Sequence, residues 1–211
     1  MNYDYIAIEG NIGAGKTTLS KKIASEYDAM LILEQFEDNS FLPKFYNDPD
    51  RYAFPLELTF IAERYQQLKQ MQLSLNLFNP FVIADYFIDK SLIFSRNTLS
   101  EDEYLLYTKL FSIINNSLPK PELLVYLHVN INRLLKNINN RGRDYEQQIK
   151  YEYLEKIEKG YFNHFTSLPD LRILIIDANE IDFVNNSDDY AQIKEIILSK
   201  NYPVGITRIV P

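Results

Sequence analysis

Residues 5–18 read YIAIEGNIGAGKTT. Gly10, Gly15, Lys16 and Thr17 stand at the four fixed positions of the loop G-x-x-x-x-G-K-[ST]. Glycines at those places let backbone N–H groups close around a phosphate chain. The lysine reaches the β- and γ-phosphates, and the Thr17 hydroxyl is placed to ligate Mg2+. Just before the loop, Tyr5-Ile6-Ala7-Ile8 suits a buried parallel strand. Just after it, Thr17–Tyr27 carries Leu19, Ile23 and Ala24 at helical spacing. Strand, glycine loop and helix N-terminus follow in the order that anion binding needs. The stretch therefore predicts a nucleotide site with Gly10, Asn11, Ile12, Gly13, Ala14, Gly15, Lys16, Thr17 and Thr18 around the phosphates. It does not define a reaction.

Outward from this loop, apolar runs alternate with helical patterning. Further strands are expected at Ala29–Leu33, Phe81–Ala84, Leu123–His128 and Leu171–Ile176. Helices are expected at Arg51–Leu77, Glu101–Asn116, Ile131–Asn139 and Ile149–Phe165. The first of these has Leu58, Ile61, Tyr65 and Leu68 on one face, and the second is entered through a Ser100/Glu103 capping box. Strand–helix alternation implies an α/β fold, a five-stranded parallel sheet with helices on both faces. Residues 1–200 read as one domain, and 201–211, with two prolines and a glycine, as a C-terminal tail.

Composition narrows the classes. A chain of 211 residues suits one domain with a sizeable core. No apolar run is long enough for a membrane span, and no signal-peptide pattern opens the chain. The absence of cysteine excludes disulfides and thiolate metal sites, so a soluble cytoplasmic protein is expected. A net charge of −7 and a pI of about 5.0 argue against a nucleic-acid polymer as partner.

Three further clusters carry chemistry. Glu34, in EQFEDN, ends the second apolar run, and ligands in open α/β sheets bind beyond strand carboxyl ends. A carboxylate there can accept a proton from an attacking hydroxyl. A helix-capping role for Asp38 and Asn39 is the alternative for this cluster. Asp85 follows the third run and can hold Mg2+ directly or through water, or be an ordinary strand-end acid. Arg141-Gly142-Arg143, in a lid about residues 140–148, can neutralise charge on transferring phosphates or form a solvated basic turn.

With these motifs in hand, the chain resembles the deoxyribonucleoside kinase family over about Tyr5 to Phe183, most closely its bacterial deoxyguanosine/deoxyadenosine kinase branch. The phrases carrying the likeness are EGNIGAGKTT, EQFEDNSFLPKFYNDP, FPLELTFIAERYQQL, VIADY, LPKPELLVYL and RGRDYE. The resemblance implies a P-loop kinase fold and transfer of the ATP γ-phosphoryl group to a deoxynucleoside 5′-hydroxyl, with Mg2+. It implies Glu34 as general base, Tyr46 and Glu146 on the sugar 3′-hydroxyl, and Arg64 near the base. Arg141 and Arg143 go to the phosphates, and Asp177, in DANEIDF, goes to a loop near the ATP adenine. A polar strand-to-helix connection is the alternative for that last segment. Family members are commonly dimers, so a homodimer built on helices is expected.

Two positions depart from the family pattern. Tyr86 replaces an arginine after the third strand, and Arg64 or Lys90 is the candidate replacement cation. Glu57 replaces a glutamine that reads the base edge. An ionised carboxylate only accepts hydrogen bonds, which suits the N1–H and N2–H donors of guanine. Glu57 thus favours deoxyguanosine over deoxyadenosine, unless it faces solvent. His128 and His164 are expected to be structural. A nucleoside monophosphate kinase and a non-catalytic nucleotide-binding protein are the competing readings. Glu34 and the lid arginines argue against both.

Overall fold

Every residue of β1 (Tyr5–Gly10) is buried, and the rest of the sheet is laid out around it. The structure, a computed structural model, describes residues 2–35, 39–74 and 81–211. After β1 come α1 (Lys16–Tyr27), β2 (Met30–Ile32), α2 (Leu42–Asn47), α3 (Pro49–Ser74) and β3 (Val82–Ala84). There follow α4 (Lys90–Thr98), α5 (Glu101–Asn115), β4 (Leu123–His128) and α6 (Ile131–Arg141). A short 3-10 turn, Asp144–Glu146, leads to α7 (Tyr151–Phe165), β5 (Arg172–Asp177), α8 (Ser187–Leu198) and β6 (Gly205–Ile209).

The sheet is parallel throughout, in the order β2-β3-β1-β4-β5-β6. Period-two alternation along buried strands sends side chains to opposite faces. Ile6 and Ile8 enter one core with Leu19 of α1, Leu134 of α6 and Ile197 of α8. Tyr5 and Ala7 enter the other with Leu68 of α3, Ile93 of α4 and Ile157 of α7. Because β1 lies between β3 and β4, its carboxyl end opens into the crevice where such sheets bind ligands.

The sheet has six strands rather than the expected five. The sixth, β6, arises from the segment read as a tail. Its residues alternate between half-buried and exposed, so no continuous apolar run marks it. It pairs with β5 from Arg172↔Gly205 to Ile176↔Ile209. Tyr202 leads into it, with its N–H donating to the Tyr3 hydroxyl at 2.7 Å and its own hydroxyl donating to the Ile196 carbonyl at 2.5 Å. Three helices, α2, α4 and α8, were also absent from the sequence reading. The helix expected at 51–77 begins at Pro49, and its last three positions lie outside the described residues. The capping box is formed: Glu103 Oε2 accepts from the Ser100 N–H at 3.0 Å and from its hydroxyl at 2.7 Å.

Deleting residues 203–211 strips β5 of its outer partner and leaves a bare parallel edge. The expected result is a fall in Tm of about 5 °C or more, with aggregation on heating. An unchanged melting curve would show that β6 adds nothing to the fold.

Candidate active site

The phosphate loop is shaped by its glycines and tied down by two asparagines. Gly15 has φ 89° and caps α1. A Cβ there would stand 2.6 Å from the Phe183 ring, so loop and ring are packed in direct contact. Asn11 donates to the Leu154 carbonyl at 2.8 Å, and Asn137 of α6 donates to the Gly13 carbonyl at 2.9 Å. Lys16 Nζ folds back onto the carbonyls of Gly10 at 2.9 Å and Asn11 at 3.0 Å. Burial, and next the positive charge of Lys90, bring its ammonium down to about 8. Behind the loop, the buried Glu9 carboxylate accepts from the Gly10 N–H at 3.1 Å, the Phe87 N–H at 2.8 Å and the Tyr161 hydroxyl at 2.8 Å. It joins the end of β1 to the segment that follows β3.

That segment carries Asp85, which connects the phosphate loop to the loop after β2. Its Oδ2 accepts from the Thr17 hydroxyl at 2.5 Å, and its Oδ1 from the Glu34 N–H at 2.6 Å. The Glu34 carboxylate is clamped by two cations. Arg64 Nη2 meets Oε1 at 2.5 Å, and Lys90 Nζ meets Oε2 at 2.6 Å. Burial alone would raise the Glu34 carboxyl. Lys90 and then Arg64 outweigh it and hold the group well below the usual carboxylate range. Arg64 also donates to the Ser91 hydroxyl at 2.5 Å.

Glu34, Asp85, Lys16 and Thr17 line one cleft with Tyr46, Glu57, Arg64, Glu146, Arg141 and Arg143. Its walls include Phe45, Phe60 and Phe94. Tyr46 stacks on Tyr145 of the lid at 5.8 Å between ring centroids. Glu146 is buried and holds both lid arginines: Arg141 through Nε at 3.0 Å and through Nη2, and Arg143 at 3.2 Å. Gly142 turns the chain between them at φ 72°. A second cleft continues past the loop along Gly15, Thr18 and Lys21, again under Arg141 and Arg143. A third lies between the loop, α6 and residues 178–185. Arg133 shapes that last wall by donating to the carbonyls of Ala178 at 2.7 Å, Ile181 at 2.6 Å, and Asn179.

Two sequence expectations fall elsewhere. Tyr86 does not line the first cleft. It is fully buried behind Arg64, its hydroxyl donating to Gln67 Oε1 at 2.9 Å. Asp177 lines none of these three clefts, and its carboxylate accepts from the Asn179 N–H at 3.1 Å and side chain at 2.7 Å. Asp38 lies outside the described residues, whereas Asn39 accepts from the Phe41 N–H at 3.0 Å in a turn before α2. Sequence reasoning treated Lys90 only as a substitute cation, and its direct contact with Glu34 was not foreseen. The only local signal is Asp85, one residue past a strand, with Lys90 five residues later at a helix start, and it does not say which acid the lysine meets. Tyr145 and Phe60 lie within quoted phrases but were given no role, and Phe94 carried no motif.

Glu57 is buried rather than solvent-facing. The Thr98 hydroxyl donates to its Oε1 at 3.0 Å. Desolvation raises its carboxyl to about 7, with Arg64 and Thr98 opposing.

A loop that cradles phosphates, an acid beside its threonine, a carboxylate across the cleft and arginines overhead define a P-loop phosphotransferase with two substrate sites. The chain belongs to the deoxynucleoside kinase family, whose sequence model matches residues 6–201. It is 37% identical over 202 residues to the deoxyguanosine kinase of Bacillus subtilis, covering 92% of this chain and 98% of that one. It is 29% identical to the deoxyadenosine/deoxycytidine kinase of the same organism, covering 92% and 91% respectively. The solved deoxyadenosine kinase of M. mycoides with bound dATP superposes with a TM-score of 0.78 at 26% identity, over 91% of this chain and 98% of that one.

The raised Glu57 carboxyl has a thermodynamic consequence. Its folded pKa, about 7, lies above the ordinary 4.5, so between these values the native state binds the extra proton. Stability therefore falls as pH rises through that window, by about 3 kcal/mol at most. Glu57→Gln removes the slope. Chemical denaturation at about pH 5 and about pH 8 should show the variant losing less stability than the parent. Parallel losses would refute the assignment.

Proposed function

We propose that the protein transfers the γ-phosphoryl group of ATP to the 5′-hydroxyl of a purine deoxynucleoside, deoxyguanosine first and deoxyadenosine second, in nucleotide salvage. The observation that carries this is Glu34: an anionic carboxylate in the same cleft as Lys16 and Thr17, with Arg64 and Lys90 both paired to it. An acceptor phosphate would need cations of its own. An acceptor hydroxyl needs a base.

In this reading the 5′-oxygen attacks the γ-phosphorus, the bond to the β–γ bridging oxygen breaks, and ADP leaves. The hydroxyl proton passes to Glu34. Both Glu34 oxygens are held by cations, so one must be released or shared as the proton arrives. Lys90, on its flexible stem, is the partner assigned to that exchange, and its ammonium then faces the transferring group. Lys16 supports the β- and γ-oxygens. Thr17 and Asp85 offer hard oxygen donors suited to Mg2+, an ion that takes one or two protein ligands and keeps several waters. Mg2+ would neutralise phosphate charge there. Arg141 and Arg143 leave Glu146 for the phosphates, freeing Glu146 to join Tyr46 on the sugar 3′-hydroxyl. Glu57 reads the base between the Phe60 and Phe94 walls. Residues near the third cleft take the adenine of ATP.

The same reading makes the protein a cytoplasmic homodimer joined through helices. Among the described residues, no helix is long and apolar enough to cross a membrane. Light scattering should give about twice the 24.9 kDa chain mass.

Coupled ADP release against a panel of nucleosides and their monophosphates tests the reaction. Turnover is expected with purine deoxynucleosides and a loss of about 100-fold or more in kcat for Glu34→Gln. Turnover with monophosphates alone, or nucleotide binding without turnover, would reject the proposal.

A further inference from the structure

We propose that the protonation state of Glu57 decides which purine the enzyme accepts: the protonated form takes deoxyadenosine, whereas both forms take deoxyguanosine. This rests on the reading above that Glu57 meets the base edge.

The geometry supports a carboxyl that changes form in place. Glu57 is buried at 4% exposure, yet it lines the acceptor cleft. Among the described residues, its carboxylate has one direct hydrogen-bond donor, the Thr98 hydroxyl of α4. Among the described residues, no cation pairs with it directly. The charges that face it come from every element packed around it. Arg64 lies two turns along α3, Lys90 lies on α4, and both favour the ionised form while pairing with Glu34. Glu34 itself, in the loop after β2, opposes ionisation. Tyr107 of α5 donates to the Glu57 main-chain carbonyl at 3.3 Å, and Tyr153 of α7 also faces the group. Burial holds both phenols neutral. With the nearest cations engaged elsewhere, desolvation dominates and brings the carboxyl to about 7. Both forms are therefore populated around neutral pH.

The two purines sort the forms by hydrogen-bond chemistry. Ionised Glu57 offers only acceptors, which match the N1–H and N2–H donors of guanine. Adenine presents an N6–H donor beside an N1 acceptor. Against a carboxylate, adenine N1 stays unpaired with its lone pair facing a negative oxygen. Protonation supplies the missing O–H donor. The protonated carboxyl also fits guanine, accepting from N1–H and donating to O6, so guanine is served on both sides of the transition. Glutamine imitates the protonated carboxyl at every pH, because its amide always pairs a donor with an acceptor.

The test compares kcat/KM for deoxyguanosine and deoxyadenosine from about pH 6 to about pH 8.5. The ratio cancels the titration of Lys16, Glu34 and every other group common to both reactions. It is expected to rise at least tenfold across this range in the parent enzyme, through a fall in the deoxyadenosine value. In Glu57→Gln it should shift toward deoxyadenosine and stay flat within about twofold. A binding-only readout uses the parent protein alone: the rise in Tm given by deoxyadenosine should shrink from about pH 6 to about pH 8.5 while that given by deoxyguanosine persists. A flat ratio in the parent, with Glu57→Gln still changing preference, overturns the titration and leaves the base-reading role standing. Unchanged preference in Glu57→Gln overturns both.

Discussion

The buried contact of Glu34 with Arg64 and Lys90 is the constraint around which the first cleft is assembled. Three separate pieces of chain meet in it: the loop after β2, the middle of α3 and the first turn of α4. Removing such charges from water is expensive, and only good geometry and additional hydrogen bonds offset that penalty. Ser91 and the Asp85 carboxylate supply those bonds, one to Arg64 and one to the Glu34 main chain. Removing one partner would leave an uncompensated buried charge. The group that takes the proton in the proposed reaction therefore also fixes the distance between α3 and α4, which form the walls of the cleft.

The lid follows the same electrostatic logic with weaker ties. Glu146 pairs with both Arg141 and Arg143, and the Tyr46–Tyr145 stack sets this segment against α2. Arg141 is substantially more exposed than Arg64, so its pair is more easily exchanged for another anion. Catalytic demands match this difference. In the proposed reaction the base is in place before substrates arrive, whereas the arginines are wanted only once phosphate charge is present.

Much of the fold was legible because buried parallel strands leave continuous apolar runs, and β1, β3, β4 and β5 all do. β6 escaped because an edge strand buries only one face, and its alternation was masked by Pro203 and Gly205. The glycine loop was readable since its chemistry depends on local spacing. Glu34 and Asp85 were legible from their places at strand ends, whereas Tyr46 and Glu146 were assigned only through the resemblance to a known family. The structure then brought them into one cleft. What could not be read was pairing. Which cation faces Glu34, and that Tyr86 stands behind Arg64 beside Gln67, depends on how α4 packs against α3. No single segment records that packing.

The contact between Gly15 and the Phe183 ring joins the phosphate loop to the wall of the third cleft across most of the chain length. A side chain at position 15 would collide with that ring, so the glycine and the ring fit as a pair. A designer who transplants the 178–185 loop from a relative to reshape the third cleft must bring a ring that fits over the native glycine. Otherwise the strain of the graft will be felt in the loop that holds the phosphates rather than in the pocket being redesigned.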